Sequence, residues 1–302
     1  MIEDAIIKEL GFNRVRIDEP LADHVYMKVG WPADYFYQAT SSEELSEAAK
    51  IALVEKIPLT ILGNGANVLI ADKGVRGLVI QNSSKEIKFL PHGFVLVDSG
   101  VSNTDLIVAA KNRQLTGMER LLKVPGTVGG AVFMNAGDTG KKAFFGDLVV
   151  AVEALGSDGG VKKLTQRQCG FRYRNSRFHR TGEIILRVKL QLKPATKQEI
   201  EDLAKDILIR KAEQPAGSSV GSTFKNPKEG FAGQLIEKAG LKGTKIGSAK
   251  ISERHGNFII NEGNATAADI KALIDLMKKM VKEKFGVELE EEVRYIGEWG
   301  YL

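Results

Sequence analysis

The 302-residue chain has one cysteine, Cys169, so no internal disulfide can form, which is compatible with a reducing cytoplasm. Its four histidines, His24, His92, His179 and His255, are scattered and show no metal-ligand spacing, so no metal is expected. No apolar run approaches the ~20 residues that a membrane-spanning helix needs, and no membrane partner is expected. The opening MIEDAIIKEL is acidic early and then amphipathic, unlike a signal peptide, and a cytoplasmic location is expected. The net charge of +5 arises without a dense basic block. The nearest thing to one, Lys278–Lys284, is interrupted by Glu283 and reads as a solvated helix face. Such a charge suits an anionic small molecule better than nucleic acid, which is not expected as a partner. There is no Gly-Lys-Ser/Thr phosphate loop and no G-x-G-x-x-G opening a helix. Internal repeats and low-complexity tracts are also missing.

Glycine is what the chain has in concentration. Val124–Gly137 reads VPGTVGGAVFMNAG, with Gly126, Gly129, Gly130 and Gly137. Glycine lets backbone approach backbone or ligand with no Cβ in the way. Pro125 sets the entry direction, and Ala131, Val132 and Phe133 are expected to root the segment in a core. Asn135, Ala136 and Gly137 should form a second turn. Outward N–H groups on such a loop, around Thr127, make a natural phosphate cradle. A plain buried turn is the alternative for a loop of this kind standing alone. It has a companion in ILGNGANVLI, Ile61–Ile70, where Gly63, Asn64 and Gly65 follow the apolar run Leu59–Leu62. A hairpin turn would explain that stretch by itself. After it, Ala66 and Asn67 lead to Val68, Leu69 and Ile70, which favour strand over helix. Two loops, each after a predicted strand, point to one shared anionic ligand, a dinucleotide in a non-Rossmann setting.

The wider pattern predicts a helix over Ile2–Leu10, one after the Ser41/Glu44 capping box, and one after Ser102/Asp105. Strands are predicted at Leu59–Leu62, Leu78–Ile80, Ile87–Leu90, Phe94–Asp98, Leu148–Leu155 and Ile184–Leu192. At Pro194 the texture turns helical. Thr196 and Glu199 cap a helix with the apolar stripe Ile200, Leu203, Ala204, Ile207 and Leu208. A short helix near Gly233–Ala239, a strand at Phe258–Ile260 and a long helix over Ala267–Phe285 follow, the last bounded by Thr266 and Gly286. The fold class is α+β. The expected domains are 1–194 and 195–302, with the last strand returning to the active site.

Four polar stretches remain. FRYRNSRF, Phe171–Phe178, sets arginines beside a tyrosine, either a bidentate grip for an oxyanion or a basic surface turn. SSVGSTFKNP, Ser218–Pro227, offers hydroxyls, a lysine and an amide, or is a polar loop. It has no evident His partner for a hydrolase triad. ISERHGNFIIN, Ile251–Asn261, carries a histidine before a strand, more often structural than catalytic. LEEEVRYIG, Leu289–Gly297, reads as a charged edge.

In the order GNGANVLI, PGTVGGAVFMNAG, YRNSRF, GSTFKNP, RHGNFIIN and EVRYIG, these stretches resemble the flavoenzyme family of UDP-N-acetylenolpyruvoylglucosamine reductase, also called UDP-N-acetylmuramate dehydrogenase. The likeness runs from about Leu21 to Gly297, and PGTVGGA with NAG and GSTFKNP are its specific motifs. The resemblance implies an FAD-binding fold of the vanillyl-alcohol-oxidase (PCMH) type, with a C-terminal α+β domain that takes the substrate. Both glycine loops, Gly63–Val68 and Pro125–Gly137, would hold the FAD diphosphate. NADPH would reduce the flavin, which would then reduce an enolpyruvyl UDP-sugar. A monomer is expected.

Motif by motif, the resemblance makes Ser222 the proton donor, Arg174 the grip on the substrate carboxylate and Glu292 its partner in stabilising enolate-like charge. Tyr173, Asn226 and His255 become substrate contacts. Serine is a poor acid in water, and nearby cations would have to favour its alkoxide. No His or Cys lies in either glycine loop, so FAD is expected to be non-covalent. The short run from Phe178 to Leu192 matches the family's second type, which lacks a tyrosine-bearing insertion. Departures are Ala66 for a usual Ser, Trp31 for a frequent Gly, Lys123-Val124 for Gly-Ile, and Glu213 where a substrate-binding Lys is common. Lys211 or Arg210 would then substitute for that lysine. The rival readings are a flavin oxidase or dehydrogenase with another substrate, and a non-enzymatic nucleotide-sugar binding protein.

Overall fold

The structure, a computed structural model, describes residues 2–140, 142–212 and 214–300. Glu213, one of the departures noted above, lies outside them. The chain forms two compact units, Met1–Arg16, Phe36–Asn64 and Leu78–Ala212 in the first and Ile17–Tyr35, Gly65–Gly77 and Glu213–Leu302 in the second.

The first unit is built on a five-stranded antiparallel sheet. Its order is Val161–Thr165, Val149–Leu155, Ile184–Gln191, Phe94–Asp98 and Ile87–Phe89. Alternation in Ile184–Gln191 points Val188 and Leu190 into the core and Arg187 and Lys189 away from it. A register shift between Glu153 and Ala154 lets Ile185 and Leu186 both be buried. Leu59–Leu62 runs parallel to Leu78–Gln81. The helices Ser42–Val54, Asn103–Asn112 and Lys197–Arg210 start at Ser41, Ser102 and Thr196, whose hydroxyls accept the N–H three residues on. Glu44 completes no box with Ser41; its carboxylate accepts from Thr40 N–H and hydroxyl instead.

One predicted face is not buried. In Lys197–Arg210 only Ile200 and Ile207 are covered, while Leu203 and Leu208 are 49% and 41% exposed. Residues seven apart lie two turns apart on one line, so the helix touches its unit along a seam rather than a broad stripe.

In the second unit the helix Ala267–Phe285 buries Ile270, Leu273, Ile274, Met277 and Val281. The antiparallel strands Lys245–Ile246, Ala249–Ile251 and Ile259–Asn261 share its core. Thr266 caps the helix as predicted, with Asp269 completing a capping box, and Gly286 ends it in the left-handed region. Early residues complete this unit. Asp72 accepts from the N–H groups of Ala267 and Ala268, an anion at a helix start. Val68–Ile70 pairs in parallel with Arg294–Ile296. Asn261 donates to Met27 C=O, and Met27, Val29 and Leu69 belong to the same apolar core. These bonds give the units boundaries different from a single cut near Pro194. The helix Lys197–Arg210 stays with the first, and two early segments join the second. Among the described residues no helix is long and apolar enough to cross a membrane.

Leu273 is fully buried in the second unit's core. Leu273→Ala is expected to cost about 2–5 kcal/mol, as cavity-forming core truncations do. Urea unfolding followed by circular dichroism measures it; an unchanged midpoint would contradict this packing.

Candidate active site

Val128–Met134 is a short helix, and the loop before it is held by one neighbouring strand end. Val128 N–H donates to Val101 C=O and Gly129 N–H to Ser99 C=O, at 2.9 and 2.8 Å. Asn103 N–H donates to Gly126 C=O at 3.0 Å, and the Asn103 side-chain amide to Val124 C=O at 3.2 Å. Gly130 N–H reaches Thr127 Oγ1. The helix's first amides are therefore used inside the protein, and Gly129 and Gly130 do not present outward N–H groups. Gly129 serves by its small size, because a Cβ there would sit 3.0 Å from Ser99 Cβ.

The two glycine loops meet within the first unit. A Cβ on Gly63 would lie 2.6 Å from Thr127 Oγ1, so only glycine permits the approach. Among the described residues nothing accepts from the amides of Gly63, Asn64, Gly126 or Thr127. Unclaimed N–H donors grouped at a spot stripped of side chain suit a diphosphate. Pro125 leads into this turn and is exposed. Gly65 belongs to the second unit, where its positive φ and a virtual Cβ 2.6 Å from Val25 Cα exclude other residues. Ala66 follows it, half-buried. Asn67 donates from its side chain to Glu292 C=O and accepts from Arg294 N–H, both at 3.0 Å. Val68 opens the strand paired with Arg294. The side chain of Asn67 thus fastens the glutamate segment.

Asn135 ends the helix in the left-handed region. Its buried side chain donates to Arg172 C=O and accepts from Gly146 N–H, both at 2.9 Å. That clamps the tight turn closed by Arg172 and Asn175, with Arg174 at its left-handed corner. Arg174 donates to Gly137 C=O at 3.3 Å and lies over the Tyr173 ring. Gly137 must be glycine, since a Cβ would meet Ala143 C=O at 2.3 Å.

Lys211 adds positive charge to the same unit. Its ammonium donates to Leu122 C=O at 2.7 Å, and Lys123 donates to Lys211 C=O. Burial lowers its pKa to about 8; Asp138 opposes the shift while Arg210, Arg174 and Lys123 reinforce it. Arg210 is paired with Asp138.

In the second unit Glu292 N–H donates to Thr223 C=O at 2.8 Å, and Phe224 pairs with Glu291. Ser222 and Glu292, 70 positions apart in the sequence, become near neighbours. Asn257 holds the serine segment from the other side. Thr223 N–H donates to its C=O, Phe224 N–H to its Oδ1, and its Nδ2 to Phe224 C=O. Asn226 Oδ1 accepts from Ala232 N–H at the start of the helix Ala232–Lys238. The ring of His255 accepts Asn257 N–H at Nδ1, stacks edge-on against Phe258, and has a pKa lowered by burial. These contacts make it a turn-former. The side-chain role of Asn257 is not legible in the sequence, because its partner Phe224 lies 33 positions away.

Residues 212–296 match the family described as UDP-N-acetylenolpyruvoylglucosamine reductase, C-terminal domain, and residues 33–165 match an FAD binding domain. UDP-N-acetylenolpyruvoylglucosamine reductase 2 of Symbiobacterium thermophilum is 39% identical over 300 residues, 98% of this chain and 95% of that one. The Caldanaerobacter subterraneus reductase is 40% identical over 300 residues, covering 99% of both chains. The chain belongs to the UDP-N-acetylenolpyruvoylglucosamine reductase family. The crystal structure of the Thermus caldophilus reductase superimposes with a TM-score of 0.81 at 36% identity, covering 94% of this chain and 99% of that one. A glucose dehydrogenase, Phl p 4.0202, shares the fold alone, at a TM-score of 0.53 and 14% identity over 65% of this chain and 44% of that one. The fold of this reductase-family chain is α+β, with an FAD-binding region of the vanillyl-alcohol-oxidase (PCMH) type. The turn at Gly63 and Thr127 fits FAD, offering unclaimed amides and, at Gly63, no side chain.

Gly63→Ala is expected to weaken FAD binding at least about tenfold, because its methyl collides with Thr127. Titration of apoprotein, followed by flavin fluorescence, measures this. Undiminished affinity would remove Gly63 from the cofactor site.

Proposed function

We propose that the chain reduces UDP-N-acetylglucosamine enolpyruvate to UDP-N-acetylmuramate, a step in peptidoglycan precursor synthesis, using NADPH and non-covalent FAD. Held at the turn of Gly63 and Thr127, FAD would supply hydride transfer from NADPH to the enolpyruvyl methylene carbon. The chain's own residues handle the charge and the proton. Hydride addition leaves negative charge on the neighbouring carbon and its carboxylate. Arg174 binds that carboxylate, with its guanidinium already oriented by Gly137 C=O. Glu292, as a protonated acid, donates to the same group. Ser222 gives its hydroxyl proton to the neighbouring carbon, completing the saturated ether. Tyr173 and Asn226 contact the sugar nucleotide, and Lys211 contributes to binding its diphosphate. His255 supports the serine segment through Asn257. The protein acts as a monomer in the cytoplasm.

The observation that carries the catalytic assignment is the Glu292 N–H to Thr223 C=O hydrogen bond. It brings the backbone of the segment that carries Ser222 alongside that of Glu292 in the second unit, which supports pairing the two in one step. The deciding experiment is anaerobic. Protein bleached by NADPH should recover its yellow colour on adding the enolpyruvyl UDP-sugar. Bleaching without recovery would indicate a flavin enzyme with another substrate. Ser222→Ala should retain FAD and bleach normally, yet reoxidise about 10²–10⁴-fold more slowly, the usual scale of a lost acid catalyst. Normal reoxidation would sink the role of Ser222.

Lys211 makes a pH prediction. Its ammonium persists only below about 8 in the folded chain. KM for the UDP-sugar should therefore rise as pH passes 8, and Lys211→Arg should hold KM low up to pH about 9, since guanidinium stays charged. A wild-type KM flat through this range would exclude the lysine. The stability term runs the other way. Folded Lys211 titrates near 8 against 10.5 for the ordinary side chain, so its contribution improves as pH rises between those values.

A further inference from the structure

Beneath the second glycine loop lies a buried polar network that the reaction does not use. Asn82, Ser84 and Ser99 are each nearly or fully inaccessible. Asn82 Nδ2 donates to Ser99 Oγ at 2.7 Å, and Ser99 Oγ donates to Ile185 C=O at 2.6 Å. Asn82 Oδ1 accepts from both the N–H and the hydroxyl of Ser84, whose Oγ accepts from Gly100 N–H. Gly100 has no room for a Cβ, which would lie 2.5 Å from Ser84 N. Alongside, Asp98 accepts from Ser42 Oγ, Arg187 and Glu86 N–H. The bonds joining Asn82, Ser84, Ser99 and Gly100 are all buried, and a buried, satisfied network is rigid while a broken one is costly.

The network ends on the carbonyls that hold the cofactor loop. Ser99 C=O takes Gly129 N–H, and two residues on, Val101 C=O takes Val128 N–H. A shift of Ser99 would therefore carry Val128 and Gly129 with it, along with Thr127, which packs against Gly63.

We propose that Asn82 and Ser99 are positioning residues for FAD: their buried hydrogen bond locates the carbonyls that secure Val128 and Gly129, and so aims the amides of Gly126 and Thr127 at the cofactor diphosphate. This rests on the reading that the glycine loops hold that diphosphate. Neither side chain touches the cofactor. Their effect is on the precision of the cradle, which a purely structural pair would leave intact in any molecule that folds.

The test uses full-length apoprotein prepared from wild type, Asn82→Ala, Ser99→Ala and the double variant, with FAD as the probe. Dissociation constants are measured by flavin fluorescence well below each variant's unfolding temperature. Each single variant should weaken FAD binding about tenfold, and the double variant should lose little more, since both substitutions break one linkage. The visible band of the bound flavin should shift in all three. Val152→Ala, truncating a buried residue of the same core, serves as the stability control and should lose melting temperature with FAD affinity unchanged. If Asn82→Ala and Ser99→Ala bind FAD like wild type while Gly63→Ala binds poorly, the positioning role is overturned. If Gly63→Ala also binds normally, the reading of the loops fails instead. If Val152→Ala weakens FAD as much as they do, the effect is general destabilisation and the proposal falls. Should Asn82→Ala, which orphans both Ser84 donors, fail to fold, Ser99→Ala decides, because Asn82 Oδ1 still accepts from Ser84 in that variant.

Discussion

Everything near the cofactor depends on one short run of main-chain pairing, in which Ser99–Asn103 holds Gly126–Gly129. A glycine-rich loop has little side chain to pack and large conformational entropy to lose. It keeps one shape only if something outside imposes it. Here a rigid strand end does so, taking the amides that would otherwise begin the helix Val128–Met134. The consequences spread in both directions. Thr127 receives the Gly63 turn on one side. On the other, the helix ends at Asn135, which clamps the Arg172–Asn175 turn, and Gly137 steadies Arg174. The glycine loop and Arg174 are thus parts of one hydrogen-bonded chain.

Asparagine recurs at each junction. Asn135, Asn257, Asn67, Asn261 and Asn82 all use a side-chain amide to substitute for backbone at places where regular pairing stops. The choice follows from its chemistry. A primary amide offers donors and acceptor on a short stem with little rotamer entropy, and it carries no charge whose burial would be penalised. An aspartate at Asn257 would accept Phe224 N–H but oppose Phe224 C=O with a second acceptor.

Much of this was legible locally. Ser102 with Asp105, Thr196 with Glu199 and Thr266 with Gly286 mark helix ends through contacts a few residues long, and the helices begin and end there. The order of the glycine and polar motifs led to the family and the α+β flavin fold. What could not be read depends on distant partners. Nothing around Asp72 announces that it caps a helix 195 positions later, and nothing in GSTF announces that Thr223 receives Glu292. Periodicity in Lys197–Arg210 named the apolar residues but could not say how wide a surface would cover them. Leu203 and Leu208 remain exposed because apolar spacing permits burial without requiring it.

Lys211 shows how such a site trades stability for readiness. Its ammonium sits in a partly desolvated place among Arg174, Arg210 and Lys123, with Leu122 C=O as its hydrogen-bond acceptor and Asp138 as the nearest compensating charge. A carbonyl dipole and one carboxylate do not offset burial and three cations, and Asp138 is already committed to Arg210. The cluster is therefore electrostatically incomplete in the protein alone. A diphosphate anion would complete it, favouring the ammonium and relieving repulsion among the neighbouring cations in the same step. By linkage, the proton affinity gained by Lys211 on binding must equal the affinity that the ligand gains from a charged Lys211.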